Sequence, residues 1–231
     1  IKIAIQGELG AYSHIAAEKL YKDADIKTCS TFEETFKHAY NDPSYKIVIP
    51  IENSLAGRVA DIHYLLPRYK LQIHGEYFLP VEHNLLGKLD ANIDDIKYVR
   101  SHAQAISQCQ NIISKKKFKP IISVDTAGSA KDLAEGKDKS IAAIASDLSA
   151  KIYKLKILEK NIEDEKGNVT RFLIMGKNID QPEYVKNKKF LTSCIFRLKS
   201  TPSALYKCLG GFATNQINLT KLESFSVKNT F

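Results

Sequence analysis

Ile47-Val48-Ile49-Pro50-Ile51-Glu52-Asn53-Ser54 is a β-branched apolar run that stops abruptly at three polar side chains. A short continuous apolar run bounded by polar turn residues reads as a strand buried on both faces. Its polar close is predicted to open a helix running through Leu55-Ala56-Gly57-Arg58-Val59 to Asp61, with Ser54 as a cap. Glu52 can accept or donate a proton, Asn53 does both through its amide, and Ser54 offers a hydroxyl. An isolated Glu-Asn-Ser also reads as a capped turn and nothing more.

Working outward from this stretch, the first 176 residues alternate short β-rich runs with helical patterns. That alternation predicts an α/β fold with a mainly parallel sheet and crossover helices. Strands are predicted over residues 2–5, 47–51, 72–81, 97–100, 121–124, 141–145 and 171–175. Several run into a helix through Ser or Thr: Ser13, Ser30 with Glu33, Ser101 with Gln104, then Ser54, Thr126 and Ser146. Uncapped amides at helix starts carry the positive end of the helix dipole, and in open α/β sheets they gather at the carboxyl ends of the strands, where anions bind. Any single cap commonly does no more than stabilise its helix.

Residues 177–189 are polar, contain Pro182 and lack amphipathic periodicity, so they read as a linker. Beyond them, residues 191–198 alternate as a strand, a helix is predicted from Pro202 through Phe212, and residues 218–225 form a last strand.

Bulk properties narrow the function classes. Hydrophobic content of 44% and charged content of 26% fit an ordinary globular protein. No apolar run approaches the ~18 residues of a membrane span, and the N-terminus lacks the pattern of a secretion signal. Cys29, Cys109, Cys194 and Cys208 are scattered, which argues for reduced thiols in the cytoplasm and against a disulfide framework or a zinc site. The net charge of +8 raises nucleic acid as a partner, but Lys115-Lys116-Lys117 and Lys186-Asn187-Lys188-Lys189 have few interleaved aromatics and read as solvated surface. The same positive field attracts a small dianion.

Two further segments carry chemistry. In Ser101-His102-Ala103-Gln104-Ala105-Ile106, His102 falls at a helix start after a strand. In Gly167-Asn168-Val169-Thr170-Arg171-Phe172-Leu173-Ile174, a turn enters a buried strand that opens with a hydroxyl and a guanidinium. The Arg171 fork suits a carboxylate ligand, or equally an edge salt bridge.

Taken in order, these segments resemble the prephenate dehydratase family along nearly the whole chain. The family's opening glycine motif matches Gly7, Gly10, Tyr12 and Ser13, and its PIENS block stands unaltered at Pro50 to Ser54. Gly75-Glu76, His83-Asn84-Leu85, Ser101-His102, Gln104-Ala105, Thr126-Ala127 with Ala130, Ala142 to Ser146, Glu163-Asp164, Asn168 and Thr170-Arg171-Phe172 complete the match. Departures are Glu8 and Ala11, where the family usually has Pro and Thr. The resemblance implies a two-lobed fold of the type II periplasmic-binding-protein kind with two crossovers. Lobe one is expected at about 1–81 and 154–176, and lobe two at 82–153.

The resemblance also implies the reaction: decarboxylating dehydration of prephenate to phenylpyruvate on the way to phenylalanine. Thr170 carries over as the catalytic position, accompanied by Glu52 and Asn53. Arg171, Phe172, Ser54, Ser13, Ser101, His102, Gln104, Thr126 and Ala127 are the expected substrate contacts. Aromatisation drives the reaction, and no motif for a metal or cofactor stands out. Residues 190–231 resemble the first half of an ACT regulatory domain, with Ala204, Leu205, Asn218, Leu219, Glu223 and Ser224 as expected regulatory positions for L-phenylalanine. The family's GAL and ESRP segments read Ser203-Ala204-Leu205 and Glu223-Ser224-Phe225-Ser226 here, which weakens the case for that effector. The chain is expected to continue past Phe231 and to form a homodimer or homotetramer. An arogenate dehydratase shares every one of these motifs. A non-catalytic small-anion binding module shares the fold but has no need of Glu52, Asn53, Thr170 and Arg171 together.

Overall fold

The computed structural model describes residues 1–177, Glu183 and residues 185–225. The chain divides into two units, Ile1–Ile179 and Asp180–Phe231.

The first unit contains two sheets. In lobe one, β1 (Lys2–Gln6), α1 (Tyr12–Leu20), β2 (Asp25–Cys29), α2 (Phe32–Asn41), β3 (Tyr45–Asn53), β4 (Gly57–Arg58), α3 (Ala60–Tyr69) and β5 (Gln72–Pro80) are followed by a crossover. Lobe two then holds β6 (Asn84–Gly87), β7 (Tyr98–His102), α4 (Ala103–Ser107), α5 (Gln110–Lys116), β8 (Lys119–Ser123), α6 (Thr126–Glu135), β9 (Ile141–Ala145), α7 (Asp147–Ile152) and β10 (Lys156–Glu159). The chain returns through residues 160–168 to β11 (Val169–Gly176). Strand order is β2-β1-β3-β11-β5 in the first sheet, with β4 on β3, and β10-β6-β9-β7-β8 in the second.

Strand alternation explains both cores. Ile3, Ile5, Val48, Phe172 and Ile174 bury one face of the first sheet against Ala16 and Ala17 of α1. Ala4, Ile47, Ile49, Leu173 and Met175 bury the other against Phe36, Ala39, Ile62 and Leu65 of α2 and α3. Lobe two repeats the plan, with Leu85, Val99, Ala142 and Ile144 facing α4 and α5, and Leu86, Ala143 and Ala145 facing α6 and α7. Helices on both faces account for the continuous apolar runs of the central strands.

Every strand predicted in the first unit is present. The missed ones are β2, β4, β6 and β10. Strands β2 and β10 lie at sheet edges and bury few residues, so their sequences lack an apolar signature. Because β10 pairs with β6, lobe two extends through Glu159 rather than ending at 153. Five of the six predicted caps move: Ala11, not Ser13, precedes α1, and Ser54 opens no helix. Thr31, not Ser30, caps α2 by accepting from Glu34 N at 3.1 Å. Ser101 lies inside β7, and His102 is the cap of α4. Asp125 caps α6, leaving Thr126 as its first residue. Ser146 caps α7 as predicted.

In the second unit, one helix, α8 (Ala204–Thr214), matches the prediction closely. Residues 191–198 and 218–225 join no strand ladder among the described residues. Strand-like alternation is satisfied only when neighbouring backbone completes the hydrogen bonds, and an isolated strand pair is marginal in water.

Candidate active site

The site grows from one edge of each sheet. Strands β1 and β3 run parallel, and β11 runs antiparallel to both β3 and β5. The exits of β1, β3 and β5 and the entrance of β11 therefore share an edge. In lobe two β7, β8 and β9 are parallel and β6 antiparallel to β9, so their shared edge collects residues 83–84, 102, 124–126 and 146. The two edges meet: Ser146 Oγ and Ser149 Oγ donate to Gly10 O at 2.6 and 3.1 Å, and Tyr153 OH donates to Leu9 O at 2.9 Å. Lys131 Nζ reaches Glu8 Oε1 at 3.1 Å, so one of the family departures forms a cross-lobe ion pair. Gly10 has φ +90°, and a Cβ there would stand 2.5 Å from Ser149 Oγ, so this close approach requires glycine.

On that edge, β11 and β3 pair Thr170 with Asn53 and Arg171 with Glu52. Asn53 Oδ1 accepts from the backbone amides of Leu55 and Ala56 at 3.1 and 2.9 Å, closing a turn that sends the chain back into β4. Its Nδ2 must then face the other way, donating to Asn168 Oδ1 at 2.6 Å and Thr170 Oγ1 at 2.9 Å. Thr170 is 8% exposed and is held as an acceptor, which leaves its hydroxyl hydrogen for another partner. Ser54 does not cap a helix. Its Oγ accepts from Val169 N at 2.9 Å and its amide donates to Val169 O at 2.9 Å, tying the turn to β11. The helix predicted to follow starts only at Ala60, because Gly57, at φ +77°, supports a hairpin first.

A hydrogen-bond chain leaves Asn53 for lobe two. Asn168 Nδ2 donates to Gln108 Oε1 at 3.0 Å, the same oxygen lies 2.9 Å from His83 Nε2, and His83 Nδ1 lies 2.9 Å from Tyr12 OH. Burial holds the His83 imidazole below its ordinary range, favouring the neutral ring. Burial, reinforced by Cys109 and Glu163, pushes the Tyr12 phenol well up, so it stays protonated. Burial also pushes up the Cys109 thiol.

The remaining expected contacts divide. Arg171 directs Nε and Nη2 at Glu76 Oε2, 2.7 and 2.6 Å away, and its guanidinium lies over the Phe78 ring. Strand alternation puts it on the face opposite Thr170, with Glu52 on its own side, so the geometry gives Thr170 neither a guanidinium clamp nor a carboxyl acid as immediate neighbour. The guanidinium goes to Glu76 because the two residues lie diagonally across β11 and β5 on that same face. Phe172 is 1% exposed and belongs to the core of lobe one, the next inward position on a buried strand. Ser101 is fully buried and donates to Ile144 O at 2.7 Å, pinning β7 to β9. Ser13 and Ala127 are buried one residue into their helices, with their backbone amides in the first turn. The cap of α1, Ala11, makes no side-chain bond to the first-turn amides. Thr126 is half-buried and Gln104 exposed, both at lobe two's edge, and His102 Nδ1 accepts from Gln104 N at 3.3 Å. Gln108, Asn168 and His83 were missed as site residues. Amides and an imidazole have no characteristic spacing; lobe two joins His83 to Gln108, and the return of the chain to β11 brings Asn168 to them.

Elsewhere, Cys29, Glu34 and His38 are the one group of metal-capable side chains found close together among the described residues, with ligand atoms within 4.8 Å of one another. Glu34 there already accepts from Ser30 N and Oγ, and the group includes none of the expected site residues. A groove of about 570 Å³ beside the β8 edge is lined by Arg100, Ile121, Ile122, Ser123, Val124 and Asp132, and it too lacks Asn53 and Thr170. No helix among the described residues is long and apolar enough to cross a membrane. In the second unit, Ala204 and Leu205 open α8, whereas Asn218, Leu219, Glu223 and Ser224 lie outside regular structure.

The prephenate dehydratase family model matches residues 3–180, which span the whole two-lobed unit. The chain belongs to the prephenate dehydratase family. It is 42% identical over 224 residues to "Arogenate dehydratase/prephenate dehydratase 2, chloroplastic" of Arabidopsis thaliana, covering 97% of this chain and 58% of that protein. It is also 42% identical over 221 residues to the prephenate dehydratase of Methanocaldococcus jannaschii, covering 93% of this chain and 79% of that one. The chain therefore spans little more than half the length of the plant relative. The crystal structure of the prephenate dehydratase from Staphylococcus aureus superposes with a TM-score of 0.74 at 28% identity, covering 100% of this chain and 85% of that one. The two-lobed α/β architecture is that of prephenate dehydratases.

Proposed function

We propose that this chain performs the decarboxylating dehydration of prephenate to phenylpyruvate, with Thr170 as the hydroxyl that serves the leaving oxygen. The observation that carries this reading is the Asn53–Thr170 pair, on the edge of lobe one that faces lobe two, in a chain whose family match spans both lobes. In the reaction the electron pair of the C–CO₂⁻ bond moves into the ring as carbon dioxide leaves. The ring C–O bond breaks, and the departing oxygen takes up a proton to leave as water. Hydroxide is a poor leaving group, so a hydrogen bond to that oxygen in the transition state lowers the barrier. With Asn53 donating to Thr170 Oγ1, the Thr170 hydrogen is oriented for this role. The amides that open α1 and α6, near Ser13 and Ala127, are the proposed carboxylate cradles. No metal, nicotinamide or pyridoxal enters the scheme.

A second reading keeps the fold and changes the substrate: the Arabidopsis relative is named for arogenate as well as prephenate. Residues 190–231 belong to the same proposal as part of an ACT-type module, with L-phenylalanine as effector and a dimer or tetramer as the assembly. The match to relatives covers 97% of the chain and so runs beyond residue 180. Cytoplasmic placement is likewise proposed.

The test is Thr170→Ala on the purified chain, with prephenate and arogenate each offered. Turnover should fall about a hundredfold or more on the preferred substrate while KM stays within about threefold. Undiminished turnover overturns the assignment, and the ratio of the two specificity constants decides the substrate.

A further inference from the structure

At the β2 edge of lobe one the fold gathers three different metal-capable side chains, Cys29, Glu34 and His38, with one donor atom from each within 4.8 Å of the others. Local structure accounts for the meeting. Cys29 is the last residue of β2, and the chain turns at once into α2. Glu34 and His38 are four apart on that helix, so they share one face, a turn apart, beside the strand end. The sequence hid this group. One cysteine with a glutamate and a histidine five and nine residues on lacks the paired-cysteine spacing by which zinc sites are recognised.

Each donor is held ready. Glu34 Oε2 accepts from Ser30 N and Oγ at 2.8 and 2.7 Å, which fixes the carboxylate, and Oε1 takes no hydrogen bond among the described residues. His38 is half-buried, with its ring against that of Tyr45 at 5.6 Å between centroids, and neither ring nitrogen is hydrogen-bonded among the described residues. Cys29 is 3% exposed. Burial pushes its thiol up, while a hydrogen bond with the Thr35 side chain favours the thiolate. The thiol therefore keeps its proton until a cation takes the proton's place.

We infer that Cys29, Glu34 and His38 form a binding site for a divalent cation of the zinc type, with thiolate, carboxylate and imidazole as ligands and a fourth position for water. The donor set selects the cation: thiolate and imidazole suit zinc, whereas magnesium and calcium take oxygen ligands. Binding breaks the Cys29 S–H bond, the sulfur lone pair goes to the metal and the proton to solvent. The two anionic ligands then neutralise the charge of the ion. Tetrahedral bonds of about 2.0–2.3 Å put donors about 3.5 Å apart, so the group closes by about 1 Å through side-chain rotation of Glu34 and His38. Lys27, whose charge reaches both Cys29 and Glu34, opposes the cation. Cys29 O accepts from Gly7 N at 2.9 Å, so an ion here braces the start of the loop that meets lobe two. The inference does not rest on the role of Thr170.

The test is titration with cobalt(II) and zinc of the full, untagged chain carrying Cys194→Ser and Cys208→Ser, which removes the thiols of the second unit. One equivalent of cobalt should give a near-ultraviolet sulfur-to-metal charge-transfer band that zinc abolishes and magnesium does not. Loss of an outer-shell partner alone costs about 10–100-fold in metal affinity, so Cys29→Ser and His38→Ala should each raise the zinc Kd about a hundredfold or more. Displacement of one thiol proton should make zinc affinity rise about tenfold per pH unit above neutrality, where binding by carboxylates alone is flat. Should Cys29→Ser fail to fold, His38→Ala, a change at a half-buried helix position, decides. A missing sulfur band, a Kd within about threefold of the parent chain in either variant, or an affinity independent of pH overturns the inference.

Discussion

Asn53→Asp is the sharpest single perturbation of this site, because it preserves shape and inverts one direction. The new carboxylate still accepts from Leu55 and Ala56, so the turn that closes β3 survives. What is lost is the donor that faced Asn168 Oδ1 and Thr170 Oγ1 at 2.6 and 2.9 Å. An acceptor facing the Asn168 oxygen costs about 1–3 kcal/mol, while the Thr170 hydroxyl can rotate and donate to the carboxylate, a charge-assisted bond of about 1.5–3 kcal/mol. Stability should therefore change by no more than about 2 kcal/mol. Turnover should not survive, since the Thr170 hydrogen is now directed at the carboxylate and withheld from the leaving oxygen. Loss of one transition-state donor of about 2.7 kcal/mol is a hundredfold in rate. Steady-state turnover of prephenate and a urea melt of the same preparation make the comparison. A kcat within about threefold of wild type, with the fold intact, would refute the donor–acceptor assignment.

Other consequences follow from the same contacts. Gly10→Ala adds a methyl 2.5 Å from Ser149 Oγ at a backbone φ of +90°, and the combined strain and overlap should cost about 2–4 kcal/mol by urea denaturation and lower kcat/KM. Burial holds His14, His74 and His83 below the ordinary 6.5, so each binds its proton more readily when unfolded; their contribution is fully present above about pH 6.5 and is lost as pH falls through the lowered folded values. The melting temperature should thus rise from pH 5 to pH 7.5, and His14→Gln, which keeps an acceptor for Gly10 N, should flatten that rise. Cys29 and Cys109 are buried with thiols pushed up by desolvation, so alkylation at pH 8 followed by peptide mapping should label exposed Cys194 first and those two only after denaturant.

Much of this protein was legible in its sequence because the signals are local. Buried strands between helices write short, mainly apolar runs, and residues 47–51 and 171–175 announce the centre of lobe one without any knowledge of their partners. The order of the motifs pointed to the family, and Asn53 and Thr170 were both among the expected site residues. Edge strands such as β2 and β10 were hidden because exposed backbone pairing imposes no apolar period.

What tertiary structure alone decided is direction. Thr170 and Arg171 are adjacent in sequence and look like one functional pair, yet the pleat sends them to opposite faces, where Arg171 meets Glu76 and Thr170 meets Asn53. Ser101 and Phe172 sit inside recognisable motifs, and only the packing shows that one pins two strands and the other fills a core. Gln108, Asn168 and His83 lie far apart along the chain and become neighbours only in the folded unit. Sequence fixes which groups can donate and accept; it takes a folded backbone, with amides that can point only one way, to determine which of them do.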